Sequence, residues 1–376
     1  MSRLVKFLLG LVLVLVIAVV YVLNPRLPVP EGARSAALYQ ESSFGISQQS
    51  LELVDRSRPT AANGDFEGQD FRELNGIVWY PDTDSRAPYP LVVYSHGFMS
   101  SVAEAQYLVE FLVPRGYAVV AVDYPLSSGG APGGPTVNDV IHQPGDVSFL
   151  IDALMARSND PADELHQMLD SSRIAAVGLS LGGLTTQLAA FHRDVRDPRL
   201  VAAVSIAGPS VFLEPDFFRT SDMPFMMIAG SSDAIIPYEE HAAPIPGKVD
   251  NSLLVTLDLG THVGFANIAT TFMRWFRHPD RLACPMLLSG LEDSGGDTNP
   301  MLTPDQGIGI SDAQTAPCTM EDFPRAMRPG QQQMLTRLAV YAFLESVMAV
   351  DPARREVMAQ FLEVDFPAEN AAAFVD

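Results

Sequence analysis

Short apolar runs recur through the middle of the chain, and each is bounded by glycine, proline or polar residues. Most of the later runs are apolar at every position, which is typical of parallel strands that are covered on both faces of a sheet. The predicted strands span residues 51–55, 74–81, 89–97, 117–125, 173–180, 201–208, 224–233 and 253–262.

Helix-like segments alternate with these strands. Strands that alternate with helices form right-handed crossover units, so the pattern predicts the α/β class with a mostly parallel central sheet and helices on both of its faces. The first two strands have no helix between them, which predicts an antiparallel hairpin at one edge. The predicted helices span residues 102–115, 144–157, 181–192 and 263–277.

The N-terminus carries an uncharged run from Phe7 to Leu23, with Arg3 and Lys6 before it. A run of this length is at the lower limit for a transmembrane helix, and bulky residues end it where a signal peptide would have a small-residue cleavage site. We therefore predict a membrane anchor over residues 1–24, with a cleaved signal peptide as the alternative. Basic residues before the run favour a cytoplasmic N-terminus, which places the rest of the chain on the extracytoplasmic, periplasmic side.

The rest of the chain divides by composition. Residues 25–49 are proline-rich and then polar, and are predicted to be a linker. The folded body of the chain is then predicted to span 50–376. Within it, 279–330 is predicted to be an irregular insertion that could roof a substrate site, and 331–365 to form C-terminal helices that pack back on the body.

The net charge of -21 excludes nucleic acid as a plausible partner, because such a surface repels phosphate backbones. The two cysteines, Cys284 and Cys318, lie at the ends of one Gly, Pro and Asp-rich stretch. Export to an oxidising compartment favours a disulfide between them, and two separate buried thiols are the alternative. No third cysteine or histidine lies nearby to suggest a metal site.

The motif Gly178-Leu179-Ser180-Leu181-Gly182 separates an apolar run from a helix-like segment. A serine at a strand-to-helix corner, flanked by Gly178 and Gly182, is the arrangement of a nucleophile elbow. The helix N-terminus beside it supplies free N–H groups and a positive dipole. We therefore predict Ser180 as a catalytic nucleophile.

A nucleophilic serine needs a base and an orienting carboxylate, and both follow it in the order serine, acid, histidine. Asp233 closes one apolar run and His262 closes the next. Asp216 is the alternative acid, while Asp258 lies too close to His262 along one strand.

The oxyanion of the tetrahedral intermediate needs two N–H donors. The residue after the nucleophile, Leu181, is predicted to give one, and Phe98 in the loop after the third strand to give the other. His96 in that loop is predicted to brace the backbone by hydrogen bonds.

The segments "VVYSHGF", "GLSLGG", "IAGSSDAIIP" and "GTHVGF" together resemble the α/β-hydrolase superfamily. With "SRPTAAN", "IVWYP" and "QPGDVSFLIDAL", the chain is similar over residues 50–275 to platelet-activating-factor acetylhydrolase and dienelactone-hydrolase-like esterases, and to their cutinase and polyester-hydrolase relatives. The resemblance implies cleavage of a carboxylic ester through a Ser180 acyl-enzyme, with no metal or organic cofactor. True dienelactone hydrolases carry a cysteine nucleophile, so lactone hydrolysis is not implied.

Two alternative functions stay open at this point. The same triad could serve an acyltransferase or a peptidase, because other nucleophiles can resolve an acyl-enzyme. The chain could also be an inactive hydrolase fold that binds partners in the cell envelope, although such a copy is expected to have lost a triad member. The sequence leaves open the oligomeric state and the ester that serves as substrate.

Overall fold

The computed structural model describes residues 2–23, 27–293, 302–309 and 316–376. Within this part of the chain, nine strands form one sheet in the order β1-β2-β4-β3-β5-β6-β7-β8-β9. The strands are β1 (Ile46–Asp55), β2 (Arg72–Pro81), β3 (Tyr89–Ser95), β4 (Ala118–Asp123), β5 (Leu169–Leu179), β6 (Leu200–Ile206), β7 (Phe225–Gly230), β8 (Ser252–Leu257) and β9 (Ala373–Val375).

The α-helices of the described residues connect the strands or follow them. They are α1 (Arg3–Leu23), α2 (Ala33–Gln40), α3 (Gln106–Leu112), α4 (Gln143–Asn159), α5 (Leu181–Phe191), α6 (Pro215–Phe218), α7 (Tyr238–His241), α8 (Ile245–Lys248), α9 (Asp280–Asp293), α10 (Pro329–Met348), α11 (Pro352–Gln360) and α12 (Phe366–Glu369).

The six central strands run parallel to one another in the order β4-β3-β5-β6-β7-β8, which confirms the predicted α/β class. Strands β1 and β2 form the predicted antiparallel hairpin at one edge. The short β9 closes the other edge antiparallel to β8 and was not predicted. Every residue of β3 and β7 is buried, because separate apolar cores cover the two faces of the sheet. The parallel arrangement brings the carboxyl ends of β3, β5, β7 and β8 to one edge, where an active site is expected.

The predicted helix over residues 263–277 is wrong. The segment instead contains a 3-10 turn at Val263–Phe265 and a π-helical turn at Ala269–Met273. Packing against α10 explains the break, because a Cβ on Gly264 would lie 2.1 Å from Oε1 of Gln332. Tertiary contact therefore overrides the local helical pattern here.

The stretch 25–49, predicted to be a linker, carries helix α2 and the start of β1. Ser35 and Leu38 of α2 are buried, and the carboxylate of Glu369 accepts the N–H groups of Arg34 and Ser35. The polar residues that suggested a linker alternate with inward-facing ones along β1. One face of this edge strand is exposed to solvent, so the strand lacks the continuous apolar pattern of the central strands.

The C-terminal part of the chain also differs from prediction in detail. Residues 280–293 of the insertion 279–330 form helix α9, and 294–301 and 310–315 lie outside the described residues. Helix α10 is buried nearly all round its circumference, although its sequence predicted an amphipathic helix. Its buried polar side chains have partners: Gln332 donates to the carbonyl of Thr261, and Arg337 donates to the carbonyl of Tyr107.

Helix α1 forms over the predicted anchor, with Arg3 and Lys6 in its first turn. Among the helices that the structure describes, none combines the length and the apolar character needed to cross a membrane. The prediction of an N-terminal transmembrane helix is therefore not supported. The uncharged run from Phe7 to Leu23 lies at the short end of the range for a membrane span, which is why the sequence pattern alone was ambiguous.

Candidate active site

Ser180 occupies the sharp corner between β5 and α5. Its backbone has φ 56° and ψ -120°, a conformation that residues with a side chain rarely adopt and that is found at nucleophile elbows. The flanking glycines are required by close backbone approach. A Cβ on Gly178 would lie 2.0 Å from the carbonyl oxygen of Gly182, and a Cβ on Gly182 would lie 2.0 Å from that of Ser95.

Asp233 lies in the loop that follows β7, with its carboxylate buried. Its Oδ1 accepts the N–H groups of Ile235 and Ile236 at 2.9 and 2.7 Å, and its Oδ2 lies 2.8 Å from Nδ1 of His262. The alternative acid, Asp216, is exposed in α6 and forms an ion pair with Arg219. The structure therefore brings Asp233, and not Asp216, to the histidine.

His262 lies in the loop that follows β8 and is largely buried. Because Nδ1 faces the carboxylate, it carries the proton, and Nε2 is the nitrogen left to act as a base. Burial lowers the pKa of His262, but the nearby carboxylates, chiefly that of Asp233, raise it more, so the net pKa lies above its usual value of 6.5.

Ser180 and His262 line one cavity of about 720 Å³. Among the described residues no hydrogen bond joins the Ser180 hydroxyl to Nε2 of His262. This contact is often long in a free enzyme and tightens when substrate binds. The cavity wall also carries the apolar side chains of Phe98, Ile235 and Phe272, which favour an apolar substrate group.

The two predicted oxyanion donors are Phe98, in the cavity wall, and Leu181, the first residue of α5. The N–H of Gly97 donates to Glu104, and the N–H of Met99 donates to the carbonyl of Ser127. Within the described part of the chain, the N–H groups of Phe98 and Leu181 have no such acceptor. The absence of an acceptor is consistent with the predicted role of these two groups.

His96 has the structural contacts predicted for it. It is completely buried, its Nε2 accepts the N–H of Tyr124 at 3.0 Å, and its Nδ1 lies 2.7 Å from the carbonyl of Gly97. Both ring nitrogens are engaged by backbone, so His96 braces the loop that carries Phe98.

Sequence reasoning missed Asp280, which begins helix α9 and is completely buried. Its carboxylate accepts three backbone N–H groups, from Ala234 at 3.0 Å, His262 at 3.0 Å and Val263 at 2.8 Å. Asp280 thus ties the loop after β7 that carries Asp233, here called the acid loop, to the loop after β8 that carries His262, here called the histidine loop. Burial and the nearby Asp233 carboxylate raise the pKa of Asp280 to about 6. The only signal in the sequence was a lone aspartate after His278 and Pro279 at the start of the supposed insertion.

Glu104 was also missed. It is buried beside the loop that follows β3, where its Oε1 accepts hydrogen bonds from the N–H of Gly97 at 2.8 Å and from the hydroxyl of Tyr94 at 3.1 Å. Burial raises the pKa of Glu104. An acidic residue near the start of the mostly apolar segment "SVAEAQYLVEFL" was the signal that could have revealed it.

The sulfur atoms of Cys284 and Cys318 are bonded to each other. Cys284 lies in α9, and the N–H of Cys318 donates to the carbonyl of Ala234 at 2.7 Å, next to Asp233. The insertion is therefore fastened to the acid loop. Its helix α9 contributes Met286 and Leu287 to the cavity wall. In the described ranges no group of three or more His, Cys, Asp or Glu side chains is arranged to hold a metal ion.

Several known proteins are similar to this chain in sequence. The chain is 26% identical over 191 residues to Cutinase 2 of Thermobifida cellulosilytica, an alignment that covers 50% of the chain and 64% of that protein. It is 25% identical over 243 residues to a bis(hydroxyethyl) terephthalate hydrolase of Streptomyces coelicolor, which covers 62% of the chain and 68% of the relative. The chain thus spans somewhat less than two thirds of the length of the cutinase.

A solved structure of a ferulic acid esterase from Streptomyces cinnamoneus superimposes with a TM-score of 0.52 at 20% identity, covering 85% of the chain and 97% of that protein. This likeness supports the α/β-hydrolase fold. The model of the PETase family, described as PET hydrolase-like, matches residues 61–277, from the region before β2 to the end of the segment after His262. Because this match covers more than half of the chain, the chain belongs to the PET hydrolase-like family.

Proposed function

We propose that the chain is a serine hydrolase that cleaves carboxylic esters. The observation that carries the proposal is the buried contact between Asp233 and His262, at 2.8 Å, beside a cavity that Ser180 also lines. An oriented imidazole next to a serine in an elbow conformation is the arrangement that activates a hydroxyl.

In the first half of the reaction, the Ser180 oxygen attacks the ester carbonyl carbon while Nε2 of His262 accepts the hydroxyl proton. The N–H groups of Phe98 and Leu181 stabilise the negative oxygen of the tetrahedral intermediate. Collapse of the intermediate breaks the bond to the alcohol oxygen, which takes the proton from His262 and leaves. Water then attacks the acyl-enzyme by the same route and releases the acid.

The apolar cavity wall favours esters with an apolar acyl or aryl group. The similarity to a cutinase and to a bis(hydroxyethyl) terephthalate hydrolase supports the same class of substrate. We therefore expect turnover of short-chain aryl esters and of small terephthalate esters, with water as the acyl acceptor.

Labelling with a fluorophosphonate probe tests the proposal, because the reaction needs the nucleophile, the base and the oxyanion donors together. The wild type is expected to be labelled and to hydrolyse p-nitrophenyl esters, and Ser180→Ala is expected to lose both activities while its thermal unfolding is unchanged. The control Ser42→Ala removes an exposed serine and should behave as the wild type. Full ester turnover by Ser180→Ala would refute the assignment.

The proposal extends to the compartment. The bond between Cys284 and Cys318 supports an oxidising environment for the catalytic body, outside the cytoplasm. Thiol alkylation of the protein in intact cells tests this. Protection of both cysteines until a reductant is added is expected, and two freely alkylated thiols would contradict it.

A further inference from the structure

A second cleft, of about 1070 Å³, lies beside the catalytic cavity. The two share one stretch of chain: residues 268 and 271–273 line the catalytic cavity, and residues 270 and 274–277 line the cleft. Four arginines line the cleft, and no aspartate or glutamate does. The four are Arg274, Arg277, Arg325 and Arg328.

Three of these arginines, Arg277, Arg325 and Arg328, are exposed. Within the described part of the chain, none of the three forms an ion pair with a carboxylate. The chain carries 45 acidic residues against 24 basic ones. A cluster of three arginines without such a pair is therefore a local positive region on a chain whose net charge is negative. Glu321 and Asp322 lie shortly before Arg325 but do not line the cleft.

Large apolar side chains are exposed on the same side of the molecule. Trp275 and Phe276, which line the cleft, are 57% and 49% exposed. Ile268, Phe272 and Met286, which line the catalytic cavity, are also exposed. Contiguous exposed apolar groups of this size mark an interaction surface.

The N-terminal helix lies on this side as well. Leu27 and Pro28, which follow α1, line the cleft, and α1 lies against the π-helical turn at Ala269–Met273. The apolar side chains of α1 whose burial the structure describes are exposed. An exposed apolar helix and an exposed aromatic patch therefore meet at one place.

We propose that these residues form a docking surface for an anionic lipid membrane. We call it the aromatic-arginine face and define it by Arg274, Arg277, Arg325 and Arg328 together with Ile268, Phe272, Trp275, Phe276 and Met286. Tryptophan and phenylalanine are stable at the level of lipid headgroups, with apolar atoms towards the acyl chains. Arginines at the same level attract anionic headgroups.

The distribution of charge on the protein favours an anionic lipid surface over a neutral one as the partner. A body with a net charge of -21 is repelled by an anionic surface unless cations are concentrated where the two meet, as they are on this face. The mixture of aromatic and cationic groups also distinguishes a membrane from a free anion, because a free anion would gain nothing from the exposed apolar side chains.

Docking in this way turns the mouth of the catalytic cavity towards the lipid, since Ile268, Phe272 and Met286 belong to both. An apolar ester dissolved in the membrane would then reach Ser180 without crossing water. This inference concerns where the protein binds and goes beyond ester hydrolysis. Its test measures lipid contact, so it can succeed or fail independently of the proposed activity.

The chain has only two tryptophans, and they differ greatly in exposure: Trp79 is 2% exposed and Trp275 is 57% exposed. Trp275 is therefore a natural reporter. The experiment titrates the whole 376-residue chain with vesicles of brominated phosphatidylcholine and phosphatidylglycerol and measures quenching of tryptophan fluorescence. A Trp275→Phe variant gives the background from Trp79. We expect strong quenching of Trp275 and much weaker quenching in vesicles of brominated phosphatidylcholine alone.

The variant R277Q/R325Q/R328Q removes three charges from the face and leaves Arg274, which stacks on Trp275 at 4.3 Å, in place. Each arginine near an anionic surface contributes roughly a fivefold effect, so the lipid concentration for half-maximal quenching should rise on the order of a hundredfold. The matched control R56Q/R193Q/R196Q removes three exposed arginines elsewhere and has the same net charge. Its tryptophan fluorescence should be quenched by the vesicles as in the wild type, and both variants should hydrolyse a soluble aryl ester at the wild-type rate.

Three results would overturn the proposal. The first is the absence of Trp275 quenching in anionic vesicles. The second is an equal loss of quenching in the two triple-arginine variants. The third is a lipid-free dimer whose formation buries Trp275. The last result would assign the face to a second copy of the chain.

Discussion

The carboxylate of Asp280 accepts the backbone N–H of His262 at 3.0 Å, from a helix that lies outside the matched family region. The same carboxylate accepts the N–H groups of Ala234 and Val263, so one buried group fixes the two loops whose side chains form the Asp233–His262 contact. Asp280 does not face the cavity and acts through the backbone of its neighbours, as a positioning residue.

Asp280→Asn is expected to lower kcat by about tenfold or more with little change in KM. An amide nitrogen would face N–H donors, and each lost hydrogen bond to a charged acceptor costs about 1.5–3 kcal/mol. The substitution also removes a charge that raises the pKa of His262. The acid limb of the pH-rate profile should therefore move to lower pH, which a purely structural loss would not cause. The control Asp258→Asn alters an exposed aspartate in the same region and should leave the profile unchanged.

The pH dependence of the reaction follows from His262. Only neutral His262 can accept the serine proton, and its pKa is raised above 6.5, so kcat/KM should fall as the pH decreases through a midpoint above 6.5. The raised pKa also means that the charged pair with Asp233 adds stability that is fully present below pH 6.5 and is lost as the pH rises through the folded-state pKa.

Asp233→Asn should move this midpoint below that of the wild type, because burial, which lowers the pKa, is then opposed by fewer carboxylates. The rate should also fall by about ten thousandfold at its optimum, since the orienting carboxylate is lost. Measurement of kcat/KM between pH 5 and 9 on a soluble aryl ester tests both effects. An unchanged midpoint would show that another group sets the acid limb.

The Cys284–Cys318 bond is expected to stabilise the insertion against the acid loop. It closes a loop with a sequence separation of 34, for which the chain-entropy relation gives about 4 kcal/mol at most. C284S/C318S should therefore unfold at a lower denaturant concentration and hydrolyse esters more slowly, because Cys318 donates to the carbonyl next to Asp233. A reductant should have the same effect on the wild type and none on the double variant. Equal sensitivity of both proteins would contradict this role.

Much of the fold and of the site could be predicted because its signals are local. Continuous apolar runs marked the buried strands, and parallel strands bring their carboxyl ends to one edge, so Ser180, Asp233 and His262 could be placed together from their positions after three runs. The glycines beside Ser180 could be interpreted in the same way, since close backbone approach leaves no room for a Cβ.

What could not be predicted depends on distant packing. Asp280 acts only because α9 begins against the loops after β7 and β8, and no local pattern encodes that approach. Residues 263–277 had a helical pattern, but contact between Gly264 and Gln332 of α10 breaks it. Helix α10 is buried on the side that was expected to be exposed to solvent, because its polar side chains form hydrogen bonds with backbone groups of other elements.

The buried ion pairs of Arg72 give a last prediction, for stability. Arg72 lies on β2 and is completely buried, with Asp139 at 3.0 Å and Asp146 at 2.6 Å. Removal of one partner from such a network leaves uncompensated buried charge, so Arg72→Met should lower the free energy of unfolding by about 3–5 kcal/mol. Arg219→Met breaks an exposed pair and should cost no more than about 1 kcal/mol. Urea unfolding followed by circular dichroism compares the two variants directly. Equal costs would mean that Asp139 and Asp146 gain other partners or become protonated when Arg72 is removed.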